Sequence, residues 1–370
     1  MANIKKLKEN TVKLVKLEDV CYNGSSSLSQ KDIIMLEGKY PVYGASGLIK
    51  YINFYKYDKE YIAIVKDGAG IGRTMILPAN SSVISTLQYI FPKENINIRY
   101  LYYALNAMDL SKYYSGVTIP HIYFKDYKKE ELYLPIIDEQ INIVNKLDKI
   151  REIIDIRKKQ IEELDELIKS QFVEMFGDPI ENPKNYKIVK LSDMADYWNG
   201  LTYKPTDVNK KGTIVLRSSN IQNSQLNYQD IVRVNCNIKE KQYVKDNDIL
   251  MCSRNGSARL VGKVAVIKDI KEKMTFGAFM MIIRSEYYPY LFSYFQTDAF
   301  RNQIKSGATT TINQITGNML NKIKLPLPDK YDINQFAEIV KLIDKQKFEI
   351  QKNLEEMQKL QESLMNKYFG

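Results

Sequence analysis

Few residues of this 370-residue chain could do covalent or metal chemistry. His121 is the single histidine, and a catalytic triad or a zinc site needs several converging ligands around such a residue. The three cysteines, Cys21, Cys236 and Cys252, have neither disulfide spacing nor zinc-site spacing. The sequence therefore carries no enzyme signature. We expect His121 to cap a turn or to contact a phosphate or a base.

Two other segments resemble cofactor motifs only in part. Residues 68–72 have the sequence GAGIG, but this spacing is not GxGxxG, and a strand pattern follows at residues 74–77. No helix N-terminus would then face a phosphate. Asn182-Pro183 begins like a methyltransferase motif, but the next residues differ and no glycine-rich motif lies upstream. We expect no cofactor, no metal and no catalysis in this chain.

The charge of the chain favours nucleic acid as a partner. The net charge is +10 despite many acidic residues on the predicted long helices. Glycines let the backbone approach a ligand, basic residues bind phosphates, and amide side chains suit adenine edges. The alternative is that the glycine-rich loops that carry these residues are ordinary solvated hairpins. The predicted DNA-contacting residues are Lys66, Arg73, Gln88, Thr118, His121, Arg217, Ser219, Asn220, Arg254, Asn255, Arg259, Lys263, Thr310 and Asn313.

Residues 138–177 and 332–370 are each predicted to form one long helix. These two helices must position the loops. Apolar residues recur in alternating steps of four and three, which is the a/d seam of a coiled coil. Polar residues such as Arg157 and Lys347 fill single places in it. The predicted seam consists of Leu147, Ile150, Ile154, Ile161, Leu164, Ile343, Ile350, Leu354, Met357 and Leu364.

The chain also repeats itself. VKLED at 15–19 returns as VKLSD at 189–193, and Gly116 precedes Pro135 by the spacing that separates Gly307 from Pro326 (135 − 116 = 326 − 307 = 19). The predicted strands are 61–65, 74–77, 248–252 and 264–267, and the predicted shorter helices are 100–110 and 290–304. We expect segments 40–43 and 216–223 to have no counterpart. The fold class is therefore α+β, with two globular domains of mixed α/β structure in a pseudo-two-fold repeat.

These residues carry a family resemblance over nearly the whole chain. Residues 138–179 resemble the central conserved region, and residues 335–365 the distal conserved region, of a Type I restriction-modification specificity subunit. Residues 248–263 resemble its target recognition domains, as do the segments from Gly116 to Pro135 and from Gly307 to Pro326. The resemblance implies target recognition domains at 1–136 and 179–331, joined by long antiparallel coiled-coil helices at 137–178 and 332–370.

The resemblance also implies the partners. Each recognition domain would read one half of a split, asymmetric site in double-stranded DNA. Two adenine methyltransferase subunits would bind the chain and carry S-adenosylmethionine, and restriction subunits would bring ATP and magnesium. One departure is that Asp148 precedes Glu162 by 14 residues but Asp344 precedes Glu355 by 11, which predicts helices that differ by about one turn.

A second class of function stays open from the sequence. A coiled-coil scaffold or adaptor, whose globular domains bind protein, would have the same helices, and its binding would respond weakly to salt. No segment has the length and apolarity of a membrane span, and the N-terminus lacks the apolar core of a signal peptide. We therefore expect a cytoplasmic protein that binds no membrane.

Overall fold

The computed structural model describes residues 12–68, 70–116, 120–307 and 313–370. The chain divides into two compact units. The first contains the residues up to Lys158 together with Gln351–Gly370, and the second contains Lys159–Ile350. Each unit therefore holds one globular part and a portion of each long helix. Thr118 and Thr310, two of the predicted DNA-contacting residues, lie outside the described residues.

The described residues of the first unit form three sheets. Its strands are β1 (Lys13–Lys16), β2 (Cys21–Ser25), β3 (Tyr40–Gly44), β4 (Gly47–Ile52), β5 (Tyr61–Val65), β6 (Thr74–Leu77), β7 (Ser82–Val83), β8 (Leu87–Pro92) and β9 (Glu131–Leu134). A four-stranded sheet has the order β2-β8-β5-β6, a second sheet has the order β4-β3-β7, and β1 pairs with β9. The predicted strands 61–65 and 74–77 are confirmed as β5 and β6.

Helices α1 (Leu17–Val20), α2 (Gln30–Ile33), α3 (Ile98–Ala107) and α4 (Phe124–Tyr127) belong to the same unit. The predicted helix 100–110 is α3, which begins earlier because the Asn97 side chain accepts hydrogen bonds from the N–H groups of Arg99 and Tyr100. It faces the four-stranded sheet through Tyr100 and Leu101, which are fully buried. This packing fixes one side of the sheet.

Strand β5 is buried along its whole length because both of its faces are covered. Successive side chains of a strand point to opposite faces. Ile62 and Ile64 pack in the apolar cluster that contains α3, whereas Tyr61 and Val65 pack in the cluster that contains residues of β3 and β7. The loop that leaves β5 is therefore held on a rigid strand.

The second unit repeats this plan. Its strands are β10 (Lys187–Lys190), β11 (Asp196–Asn199), β12 (Val208–Leu216), β13 (Ile221–Gln222), β14 (Gln225–Leu226), β15 (Val232–Val234), β16 (Ile249–Cys252), β17 (Val264–Val266), β18 (Met274–Phe276), β19 (Met280–Arg284) and β20 (Lys324–Leu327). The four-stranded sheet has the order β11-β19-β16-β17, and β10 pairs with β20 as β1 pairs with β9. The predicted strands 248–252 and 264–267 are β16 and β17, each one residue shorter.

The repeat extends further than the sequence predicts. The sequence predicts no counterpart for segment 40–43, yet β3, which contains it, and β12 occupy the same place. Each is the central strand of a three-stranded sheet, antiparallel to one neighbour and parallel to the other. Different residues can fill one pleated surface, so residue matching misses this equivalence. Segment 216–223 runs from the last residue of β12 into β13, and the hairpin of β13 and β14 has no counterpart among the described strands of the first unit, as the sequence predicts.

The second unit's shorter helices are α5 (Tyr288–Tyr294), α6 (Asp298–Gly307) and α7 (Gly317–Leu320). The prediction of one helix over 290–304 is wrong, because the helix breaks before Asp298. The Thr297 hydroxyl donates a hydrogen bond to the Tyr294 carbonyl at 2.7 Å and accepts one from the Phe300 N–H at 3.5 Å. A side chain that binds nearby backbone groups in this way favours a helix end over a helix interior.

The long helices span Ile137–Phe176 and Lys330–Phe369, and each has 40 residues. The predicted difference of one turn is therefore wrong. The acidic residues used for that comparison do not determine where a helix begins and ends. The first long helix ends at Phe176, and Gly177 caps it with a φ of 77° and an N–H that donates to the Val173 carbonyl at 2.8 Å.

All ten predicted seam residues are buried or half-buried. In the second unit, the rings of Phe172 and Phe176 lie 5.9 and 5.3 Å from that of Phe336. In the first unit, Leu364 and the residues near it pack against the cluster that contains Leu147. Among the described residues, no helix combines the length and apolarity needed to cross a membrane.

Candidate nucleic-acid interface

A glycine-rich hairpin connects β5 to β6 in the first unit. The Gly72 N–H donates to the Val65 carbonyl, and the Val65 N–H donates to the Arg73 carbonyl, both at 2.9 Å. Gly68 and Gly72 have φ angles of 94° and 82°, which side chains rarely adopt. The hairpin therefore needs these glycines to bring Lys66 and Arg73 to the same loop.

Arg73 lies exposed on this hairpin, as the sequence predicts. Its guanidinium rests against Gly70, where an added Cβ would lie 2.3 Å from Nη2. Glycine at this place therefore leaves room for the arginine side chain. Such an exposed guanidinium can donate to phosphate oxygens or to base edges.

His121 reaches the same loop from a distant part of the chain. The Gly68 N–H donates to the Pro120 carbonyl at 3.0 Å, and the Ile122 N–H donates to the Lys66 carbonyl at 2.9 Å. His121 Nδ1 lies 2.6 Å from Asp67 Oδ1. The carboxylate thus orients the imidazole. Among the described residues no cluster of three or more His, Cys, Asp or Glu could hold a metal.

In the second unit the equivalent loop follows β16 and carries Arg254. Its guanidinium donates to Gln314 Oε1 from Nε at 3.2 Å and from Nη2 at 2.5 Å. The guanidinium carbon also lies 5.5 Å from the ring centroid of Phe279. Arg254 is exposed, and its two side-chain hydrogen bonds within the described part of the chain both go to Gln314. Sequence reasoning named Arg254 but missed Gln314 and Phe279, because neither is adjacent to it along the chain.

Asn255 and Asn313 lie beside this arginine. The Asn255 amide donates to Ser218 Oγ at 3.0 Å, and the Asn313 amide donates to the Gly256 carbonyl at 3.2 Å. Asn313 is exposed and Asn255 is half-buried. The structure therefore brings these two predicted residues together with Arg254 on one surface. Ser219 and Arg259 are also exposed.

Lys263 and Arg217 are held by the protein itself. Lys263 Nζ donates to the Ser218 carbonyl at 2.5 Å and to the Ile221 carbonyl at 2.8 Å, and burial lowers the pKa of its ammonium. Arg217 Nη2 lies 2.6 Å from Asp230 Oδ2. The contacts of Lys263 hold the turn that precedes β13, and Asp230 neutralises the charge of Arg217. Neither residue offers a free charge in the way that Arg254 does.

Two predicted base-reading residues are corrected by their burial. Gln88 is 3% exposed, and its amide donates to the Tyr127 hydroxyl. Asn220 is 1% exposed, and its amide donates to the carbonyls of Asn227 and Asp230 at 2.9 and 3.0 Å. A buried amide needs such partners within the protein. Both side chains therefore hold the fold and are not presented at the surface.

The loops after β5 and β16 each pair with a returning segment of the chain through one isolated antiparallel bridge. Asp67 forms an isolated antiparallel bridge with His121, and Arg254 forms one with Gln314. The Asp67 and Arg254 loops leave β5 and β16, which occupy the same place in the two four-stranded sheets. The frame is thus constant, whereas the side chains at this position differ in charge and in hydrogen-bonding groups.

Comparison with known proteins identifies a family whose domain occurs twice in this chain. A family model described as Type I restriction modification DNA specificity domain matches residues 9–166 and again residues 183–360. The chain is similar to the Type I restriction enzyme MjaVIII specificity subunit of Methanocaldococcus jannaschii, with 24% identity over 90% of this chain and 85% of that protein. It is also 28% identical to the EcoKI specificity subunit of Escherichia coli, over 40% of this chain and 33% of that protein.

Two solved structures share the fold over almost the whole chain. The S subunit of a Type I restriction-modification system from M. genitalium superposes with a TM-score of 0.62 at 17% identity, covering 98% of both chains. A chain from a structure titled for complex assembly and conformational transition of the Type I R-M system gives a TM-score of 0.55 at 15% identity. It covers 97% of this chain and 98% of that chain.

Proposed function

Because the chain belongs to the Type I restriction-modification DNA specificity family, we propose that it is the subunit that reads the DNA target for such a system. Two target recognition domains each read one half of a split, asymmetric site. The observation that carries this proposal is the repeated frame with different side chains at the bridge positions of Asp67 and Arg254. One frame with two chemistries is suited to reading two different half-sites.

The chemistry of the exposed loops supports DNA contact. Arg73 and Arg254 are exposed on loops held by buried strands, and Arg259 and Asn313 are exposed as well. Arginine binds phosphates and base edges, and the amide of asparagine can read base edges in the major groove. A rigid strand behind each loop limits the conformational freedom that binding would remove. Affinity should therefore depend on both charge and loop shape.

The division of labour follows from the proposal. The globular domains at 1–136 and 179–331 recognise bases, while the helices at 137–178 and 332–370 pair as an antiparallel coiled coil. Burial of the seam residues supports this pairing. At about 1.5 Å per residue, a rod of this kind can set the distance between half-sites.

The catalytic steps belong to partner subunits. Two methyltransferase subunits bind the chain and use S-adenosylmethionine, and restriction subunits use ATP and magnesium. The chain itself holds no cofactor and acts in the cytoplasm on double-stranded DNA. The absence of enzyme motifs from the sequence supports this part of the proposal.

Methylome sequencing tests the function directly. Cells that contain the methyltransferase subunits are sequenced with and without this chain. We expect one split, adenine-methylated motif to disappear when the chain is absent and to return when it is supplied. An unchanged methylome would contradict the proposal. DNA binding that weakens steeply as salt rises would separate this function from a protein-binding scaffold.

A further inference from the structure

Arg254 differs from the other paired arginines of the second unit. Three are neutralised by carboxylates, and these pairs are Arg217 with Asp230, Arg233 with Glu272, and Arg284 with Asp248. In the part of the chain that the structure describes, Arg254 has no carboxylate within ion-pair distance, and its polar partner Gln314 is neutral. We propose that Arg254 reads a guanine in the half-site bound by the second domain, with Gln314 as its positioning residue. The inference rests on the proposed function.

The guanidinium is fixed in a defined orientation. Gln314 Oε1 accepts from Nε and from one N–H of Nη2, so it occupies one edge of the planar group. The N–H groups of Nη1 and the second N–H of Nη2 remain. Phe279 lies near the guanidinium, with 5.5 Å between the ring centroid and the guanidinium carbon, and supports it by a cation–π contact. The edge formed by Nη1 and Nη2 is therefore left with two parallel donors on an exposed side chain.

Guanine is the base that suits this pair of donors. In the major groove it presents two neighbouring acceptors, N7 and O6, which a guanidinium can bind with two hydrogen bonds. Adenine presents an amino donor beside N7, and that donor would oppose an arginine donor. A phosphate could also accept two hydrogen bonds, but it would be read in every sequence alike. Because Gln314 fixes the orientation of the Arg254 guanidinium, the remaining donors suit a planar pair of acceptors such as guanine N7 and O6.

The repeated frame limits the preference to one half-site. The position of Arg254 corresponds to that of Asp67, and the position of Gln314 corresponds to that of His121. Asp67 carries an acceptor carboxylate, which cannot donate to guanine N7 and O6. The first domain therefore has no equivalent of the arginine fork at this position. Guanine selection through this bridge belongs to the second domain alone.

The experiment uses the complex with its methyltransferase subunits. The wild-type motif is first determined by methylome sequencing, and duplexes are then made with each base at every position of the motif. Binding is measured for the wild type, Arg254→Ala and Gln314→Leu. Arg301→Ala is the matched control, because Arg301 is an exposed arginine of the same unit on helix α6.

We expect Arg254→Ala to reduce discrimination for guanine at one position by about 5- to 150-fold, which corresponds to 1–3 kcal/mol at about 1.4 kcal/mol per tenfold change. Gln314→Leu should relax the same position while keeping affinity for unrelated DNA, since the charge remains. If Gln314 had a merely structural role, Gln314→Leu would weaken binding to duplexes of every sequence and lower the melting temperature of the protein. Arg301→Ala should leave base preference unchanged.

Two results would overturn the inference. A uniform loss of affinity in Arg254→Ala, with a salt dependence reduced by about one phosphate contact, would assign the arginine to the backbone. Unchanged discrimination at every position would show that Arg254 touches no base. Failure of the proposed function looks different, because the wild-type complex would then produce no motif at all.

Discussion

Lys347 and Asp165, which are 182 residues apart in the chain, form an ion pair within the second unit. Lys347 occupies one of the polar places in the apolar seam, and its side chain is only 12% exposed, whereas that of Asp165 is 39% exposed. A charge held inside a seam costs stability unless it finds its partner. The pair therefore favours one register of the long helices, as polar residues at seam positions do in coiled coils.

Removal of Asp165 should destabilise the chain more than removal of both charges. Asp165→Ala leaves the Lys347 ammonium without its partner, and we expect a loss of about 1 kcal/mol, reduced by solvent at the half-exposed carboxylate. Asp165→Ala with Lys347→Leu should recover this loss, because leucine continues the apolar seam. Urea denaturation measures both variants. Equal stability of Asp165→Ala and the wild type would show that the pair does not matter.

Arg73→Ala should weaken DNA binding without unfolding the protein. Arg73 is exposed, so its loss removes little packing, whereas a lost phosphate contact should lower the salt dependence of binding by about one unit. Affinity is measured between low and moderate salt, beside a thermal melt. Lys13→Ala, an exposed lysine of β1, is the control for a general change in charge. Unchanged affinity at moderate salt would assign Arg73 to an ordinary surface loop.

The long helices should determine the gap between half-sites. Four residues inserted after Lys158 should lengthen the first long helix by about 6 Å and rotate its end by about 40°. Four added residues nearly preserve the apolar face, so the seam can absorb them. Methylome sequencing should then show both half-sites unchanged and a spacer longer by one or two base pairs, at about 3.4 Å per pair.

The reciprocal change is the control for the insertion. Exchange of residues 189–325 for the same part of a related subunit should alter one half-site and leave the spacer as it was. If the insertion changes the recognised bases and not the gap, the proposed role of the helices as a spacer is wrong.

The purified chain should have no methyltransferase or nuclease activity alone. No enzyme motif occurs in the sequence, and His121 is its one histidine. Turnover of S-adenosylmethionine is measured with the chain alone and after addition of a methyltransferase subunit. We expect activity only in the second case. Turnover by the chain alone would contradict its assignment as a recognition subunit.

The three cysteines should react at different rates. Burial raises the pKa of the Cys21 thiol to about 12 and also raises the pKa of Cys252, and these residues are 1% and 0% exposed. Burial raises the pKa of the Cys236 thiol as well, but Cys236 is half-buried, so a thiol reagent near pH 8 should reach and label it first. All three should react after denaturation. Fast labelling of Cys252 in the native protein would show that β16 opens readily.

Local patterns in the sequence determined much of the fold. The steps of four and three through Leu147 and Ile343 predict long helices, because an a/d stripe is a property of neighbouring turns. The bounds of β5 and β6 were predicted for a similar reason, since both are short apolar runs beside glycine-rich turns. The repeated glycine-to-proline spacing likewise indicated two copies of one unit.

Tertiary structure alone decided which of the predicted side chains are exposed. Gln88 and Arg254 are both polar residues near equivalent loops, yet one is buried and the other exposed. Burial depends on the packing of distant segments, and nothing local to Gln88 predicts the Tyr127 hydroxyl beside it. Gln314 lies beside Arg254 because a returning segment pairs with the loop after β16. Sequence periodicity carries information about neighbours along the chain, whereas hydrogen bonds across 60 residues depend on how the chain folds back on itself.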